Sequence, residues 1–286
     1  MLLQYRHICV RGNAHQSMFL EPEDIYHAIN LLAVFAVLYR VKVLAYNFLS
    51  NHYHLIIYSG NPAPFMQAYR ISYSHYFNKK YKSIGCVGNK GYVCSIIKSS
   101  EQLIEKLIYV LRNSSRHGTA LHPYSDPYNS TRYYYYNERG IEDLYQYHPV
   151  GKGRYLPFSH KEIPGHFLID SRGNIHPRCF LNYEDVENIL GPYSEAILKI
   201  SSPTEKELTE NSGRKLTSST IQSTCSDLYI SQLIMANIVP LTIQQLTDKE
   251  KVQIALKVRL KYPVSIRQLS RILGLPETSL RRKMKQ

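Results

Sequence analysis

Two histidines flank one bulky residue in Asn51-His52-Tyr53-His54, and Leu55-Ile56-Ile57-Tyr58 follows. Branched and aromatic side chains in such a run suit a pleated, half-buried strand. Successive side chains on a strand alternate between faces, so His52, His54 and Ile56 share one face. Same-face neighbours lie about 6.5–7 Å apart, a spacing from which two imidazoles can lean together onto one metal ion. In a chain with 12 histidines the plainer alternative is a half-exposed pair on a strand. A second pairing, Tyr109 with Asn113, falls on a stretch of helical pattern and separates the two residues by about one turn, where they can address a shared point. The chain holds 25 tyrosines, so it is placement and not residue type that singles out Tyr109.

The elements that must position these groups are legible in order. Tyr5 to Arg11 alternates as a strand and ends at Gly12-Asn13. Pro22 to Tyr39 carries a helical stripe of Ile25, Ala28, Ile29, Leu32, Phe35 and Ala36, with Pro22 suited to the first turn. Val41–Leu49 and His52–Tyr58 read as paired strands of a hairpin. Phe65 to Tyr81 is helical, with its aromatics expected in the core. A glycine-bearing loop lacks the Gly-Lys-Ser/Thr of a phosphate loop and reads as a turn beneath a ligand, and Tyr92 to Ile97 is a fourth strand. This β-α-β-β-α-β order predicts an α+β fold, a ferredoxin-like (split βαβ) antiparallel sheet with both helices on one face and the His52 strand in the interior. The open face needs a cover. Ser99-x-x-Gln102 signals a helix start, and Leu103, Ile104, Leu107, Ile108 and Leu111 give that helix an apolar stripe. Tyr109, Arg112 and Asn113 fall on its polar side, and Gly118 is placed to end it.

Composition sets the partner class. The net charge is +13, and residues 249–286 hold eleven Lys or Arg against two Glu. Such a concentration of positive charge points to nucleic acid before membrane. No apolar run reaches the roughly 18–20 residues of a membrane span, and the N-terminus lacks the pattern of a secretory signal. Five scattered cysteines without a C-x-x-C pair fit a reducing cytoplasm better than a disulfide or zinc framework.

Arg11-Gly12-Asn13, Ala45 to Ile57 with the His-Tyr-His core, Ser72 to Asn78, Tyr109-Val110-Leu111-Arg112-Asn113 and the Pro123–Tyr134 segment occur in one order. Together they resemble single-tyrosine HUH transposases of the insertion-sequence-200-like kind, in their REP-associated tyrosine transposase branch, over residues 5–136. The resemblance implies that His52, His54 and Asn113 ligate Mg²⁺ or Mn²⁺ and that Tyr109 is the nucleophile. It implies action on single-stranded, hairpin-forming DNA through a 5′-phosphotyrosine, and a homodimer. Relatives carry Pro-Val where this chain has Ser114-Ser115, and an aromatic-Gln-Gly-Arg run where it has Gly88 to Tyr92. They also commonly carry a short leader, which is expected to be absent here. A non-catalytic, domesticated DNA-binding descendant is the alternative, and it differs on whether Tyr109 becomes linked to DNA. A regulator with an unrelated N-terminal sensor would show no metal dependence.

Beyond residue 136 the pattern thins. Tyr133 to Tyr136 suits base stacking or packing on the preceding residues. Residues 137–246 form a connecting region in which Ile163–Asn182 reads as short strands and turns, Asn182–Ile200 as a helix, and residues 201–226 as a Ser/Thr-rich linker. Residues 247–286 end the chain as a basic segment, with a helix over Thr247–Lys261 and then a helix-turn-helix capped by Ser265 and turning at Gly274. Arg267 and Arg271 on its first helix, and Thr278, Ser279, Arg281 and Arg282 on its second, are the candidate contacts to duplex DNA.

Overall fold

A computed structural model describes residues 2–117, 119–157, 159–202 and 225–284. Strands β1 (Gln4–Arg11), β2 (Lys42–Leu49), β3 (His52–Ser59) and β4 (Val93–Ile96) form one antiparallel sheet in the order β2-β3-β1-β4. Helix α1 (Pro22–Leu38) connects β1 to β2, and α2 (Ala63–Tyr81) connects β3 to β4. The expected β-α-β-β-α-β order and the interior position of β3 are both present. Alternation along the strands sorts the side chains. Ile8, Val10, Tyr53, Leu55 and Ile57 enter one core with α1 and α2, while Leu44, Ala45 and Ile56 enter a second core on the other face.

That second face is covered by α3 (Ser100–Leu111) through Leu103, Leu107, Val110 and Leu111. Ser99 caps α3 by accepting the Gln102 amide at 3.2 Å. The Gln102 side chain reaches back to the Lys98 amide (2.7 Å), one residue earlier than a capping box requires. The helix ends at Leu111, short of the expected run through Asn113 to a stop near Gly118. Arg112 interrupts it, and Asn113–Arg116 forms a separate single turn, α4.

The segment after α4 clips this corner together. Asn129 Nδ2 and Thr131 Oγ1 donate to the Leu111 carbonyl at 2.6 and 3.1 Å, and Asn129 Nδ2 also reaches Ser114 Oγ at 3.2 Å. The two bonds to Leu111 satisfy one of the last carbonyls of α3, which an α-helix leaves without an intrahelical partner. Tyr133 to Tyr136 are all buried, so packing and not base stacking occupies them. Tyr133 and Tyr136 join the first core and Tyr134 and Tyr135 the second.

Residues past 136 continue those cores: Leu156, Phe167, Ile169 and Ile175 pack into the first, and Val186, Leu190, Ala196 and Ile200 into the second. Strands β5 (His148–Pro149) and β6 (Leu168–Ile169) form a short ribbon. The helix expected over 182–200 is two helices, α5 (Tyr183–Leu190) and α6 (Tyr193–Ser201). Gly191, at φ +84°, and Pro192 break it, the first by its left-handed backbone and the second by its missing N–H.

Most of the Ser/Thr-rich linker lies outside the described residues. The chain returns as α7 (Asp227–Ile238), α8 (Asp248–Lys261), α9 (Ile266–Leu273) and α10 (Glu277–Lys283). These share a third core around Ile230, Ile234, Leu269, Ile272, Leu273 and Leu280. Ser265 accepts the Gln268 amide at the start of α9, and Gly274 (φ +67°) turns the chain after it. Among the described residues no helix is long and apolar enough to cross a membrane.

Candidate active site

Register assembles the site on the α3 side of the sheet. His54 lies opposite Asn47 on β2 and Cys9 on β1, and His52 lies opposite Leu49 and Arg11. The two imidazoles stand with ring centroids 5.2 Å apart and planes at 86°. Each has its Nδ1 engaged. His52 Nδ1 is 2.8 Å from Asn51 Oδ1, and the Asn51 amide nitrogen donates to the His15 carbonyl at 3.2 Å, which fixes the oxygen as the end facing His52. His52 therefore donates from Nδ1 and keeps its lone pair on Nε2. His54 Nδ1 is 3.0 Å from Nε2 of His7. If His54 donates there, its Nε2 is also left with a lone pair. Fixing a ligand imidazole through its second nitrogen is how metal sites set tautomer and ring orientation.

Burial keeps the rings neutral. Desolvation, assisted by His117, Arg11 and Arg271, lowers His52 to about 3. Desolvation holds His54 well below its ordinary value, and desolvation with the Lys106 charge lowers His7 to about 4. Neutral imidazole is the form a metal requires.

Asn113 sits beside this pair. Its amide Nδ2 is 3.4 Å from His52 Nε2, and its Oδ1 is buried without a hydrogen-bond partner. The sequence pattern puts Asn113 on a polar helix face, but it is fully buried, because the break at Arg112 turns it inward beneath the clip formed by Asn129 and Thr131. A half-turn of the amide brings its oxygen to the side of His52. A buried amide oxygen lacking a partner is costly, and a cation removes that cost. Among the described residues no three His, Cys, Asp or Glu side chains gather as a metal site. A metal on this pair would take its third protein ligand from an amide, and the donor set fits.

Tyr109, half-buried on α3, completes the group. Its ring stands edge-on to His54 at 5.5 Å and to His7 at 5.9 Å. Lys106 Nζ and Arg116 Cζ lie 5.8 and 5.4 Å from its centroid, within cation–π range. His52 and Tyr109 line a common cavity of about 430 Å³ with Arg11, His117, Arg267 and Arg271. The cavity is lined by the His52 imidazole, the Tyr109 phenol and a guanidinium rim, and His54 and the Asn113 amide stand beside His52.

The four residues His52, His54, Tyr109 and Asn113 are brought together. Arg267 and Arg271 come to the same cavity, whereas Arg281 and Arg282 are exposed on α10, where Arg281 pairs with Glu277 at 2.9 Å. Thr278 is exposed and Ser279 half-buried on that helix. His7 also joins the group, although the sequence pattern alone does not single it out. Its signal was an imidazole at an inward position of β1, visible once β1 is paired beside β3.

No family model matches the sequence, and no curated protein matches it. Among solved structures the chain is similar to a REP-associated tyrosine transposase bound to a REP hairpin. The similarity covers 56% of this chain and 92% of that one, at 13% identity and a TM-score of 0.40.

Proposed function

We propose that this chain is an HUH single-tyrosine enzyme of the insertion-sequence-200-like kind, which nicks and rejoins single-stranded DNA at hairpin-forming sites through Tyr109. The observation that carries the reading is the cluster in which Tyr109 stands edge-on to His54, His54 stands beside His52, both imidazoles are engaged through Nδ1, and the Asn113 amide with its unpartnered oxygen lies against His52. The β2-β3-β1-β4 order agrees with a split βαβ sheet.

His52, His54 and Asn113 would hold Mg²⁺ or Mn²⁺, which when bound polarises a phosphoryl oxygen. The chain supplies the rest. Tyr109 of α3 lines the cavity, and the guanidinium rim there favours a phosphodiester over a neutral ligand. Attack forms the Tyr109 O–P bond and breaks the P–O3′ bond. The phenol loses a proton and the departing 3′ oxygen gains one, so protons balance across the step. The phosphotyrosine ester keeps the energy of the broken bond, and a second 3′-hydroxyl can reverse the reaction without ATP. Duplex DNA would be met by α10 of the α9–α10 pair, whose Thr278, Arg281 and Arg282 are exposed, and a homodimer is expected by resemblance. Light scattering that gives a fully active monomer would remove the dimer.

The test offers the full chain labelled single-stranded hairpins from the flanks of its own gene, with Mg²⁺, Mn²⁺ or EDTA. A denaturation-resistant protein–DNA band that needs metal and is lost in Tyr109→Phe and His52→Ala supports the reading. Binding without linkage on every flank favours the non-catalytic DNA-binding alternative.

A further inference from the structure

We infer that the C-terminal helices build one wall of the Tyr109 cavity and that Arg267 there holds a phosphate of the single strand on its way to the phenol. This rests on the DNA-nicking reading above.

Helix α9 is docked on the N-terminal sheet unit by its own backbone. The Ser17 amide donates to the Arg271 carbonyl at 3.0 Å, and Gln16 Nε2 donates to the Gly274 carbonyl at 3.2 Å. A polar bridge lies beside the histidines. Asp227 takes Arg271 bidentately, at 2.9 Å from Nη2 and 3.1 Å from Nε, and accepts Ser50 Oγ at 2.6 Å. Ser50 immediately precedes Asn51, the residue that orients His52. The chain from Arg271 to His52 is therefore continuous, and α9 is held at a defined distance from the site.

Two guanidiniums one turn apart then have different tasks. Arg271 is neutralised by Asp227. Arg267 is exposed and lines the cavity, with Arg11 of β1 among the same lining residues. Guanidinium forks match phosphate oxygens in charge and geometry. A phosphodiester strand entering this cavity has Arg267 and Arg11 to hold it against Tyr109. In a free helix-turn-helix both α9 arginines would address duplex DNA. In this fold that task is left to α10, whose Thr278, Arg281 and Arg282 are exposed.

The experiment uses the full chain in a Tyr109→Phe background without divalent metal, so that neither cleavage nor the metal pocket enters. Affinity is measured for a hairpin with a single-stranded flank, the same hairpin trimmed blunt, and a duplex. Arg267→Ala should weaken the flanked hairpin about tenfold and reduce its log affinity–log salt slope by about 1. The blunt hairpin and the duplex should stay within about twofold. Arg267→Lys should fall between Ala and wild type, because it keeps charge and loses the fork. Arg282→Ala should weaken the duplex alone. No loss on the flanked hairpin, equal loss on all three DNAs, or loss on the duplex alone would each overturn the inference. Absence of covalent product in the unmodified chain refutes the nicking reading and leaves this binding result standing.

Discussion

His7→Phe tests whether the site depends on a second imidazole behind its first. His7 and His54 are both buried, with 3.0 Å between His7 Nε2 and His54 Nδ1, and their rings stack 5.2 Å apart at 9°. Phenylalanine keeps an aromatic ring in that stack but offers no acceptor. His54 Nδ1–H is then buried without a partner, at a cost of about 1–3 kcal/mol. The ring can relieve this by moving its proton to Nε2, which removes the lone pair needed for a metal. Loss of such a supporting partner typically costs about 10–100-fold in metal affinity, or roughly 1.4–2.7 kcal/mol. Calorimetric Mn²⁺ titration of the full chain should show that loss, and His7→Gln should recover part of it because the Gln oxygen can accept. Unchanged Mn²⁺ affinity in His7→Phe with only a lowered Tm would refute the tautomer argument and leave His7 a packing residue.

Three further outcomes follow from the fold. Asp24 is fully buried and receives the Leu20 and Glu21 amides, Tyr76 and Tyr81 hydroxyls, and Lys80 Nζ at 2.6 Å, so Asp24→Ala should cost about 3–5 kcal/mol in urea unfolding; a loss below 1 kcal/mol would contradict this. Gly12→Ala places a Cβ 1.9 Å from the Gln16 carbonyl oxygen and 3.3 Å from that of Asn51; the forced backbone shift should cost about 1–3 kcal/mol and weaken binding of the flanked hairpin, since the α9 dock and the Asn51 turn both move. Burial, against the pull of Asp24, lowers His27 to about 4, so the fold favours neutral His27, and its contribution is present above about pH 6.5 and lost as pH falls towards 4. The linked energy is about 3 kcal/mol, and His27→Phe should flatten the fall in Tm across that window; an unchanged slope would count against it.

The sheet was legible because its signals are local. Period-two runs at Tyr5–Arg11 and His52–Tyr58, the stripe from Ile25 to Ala36 and the stripe on α3 each name their own element and buried face. The His-Tyr-His run and Tyr109 could be singled out for the same reason. What escaped is non-local. His7 reaches His54 only through strand register. Asn113 is buried because residues 129 and 131 close over a helix end that an ideal helical projection would leave in water. Arg267 and Arg271 read as members of a DNA-binding helix pair, and nothing near them in sequence announces the contacts to Ser17, Gln16 and Asp227. Residues 137–202 contribute isolated apolar side chains to two existing cores without a periodic run of their own, so pattern alone gave them little definition.

The central claim is that Tyr109 becomes joined to a 5′ phosphate. Its most direct measurement is tandem mass spectrometry of the covalent product formed with Mn²⁺ and a flanked hairpin, after protease and nuclease digestion. One nucleotide phosphate is expected on the peptide holding Tyr109, with fragment ions placing it on that phenol and a free 3′-hydroxyl on the released strand. A phosphate on any other residue, or a linkage through the 3′ side of the nick, would contradict it.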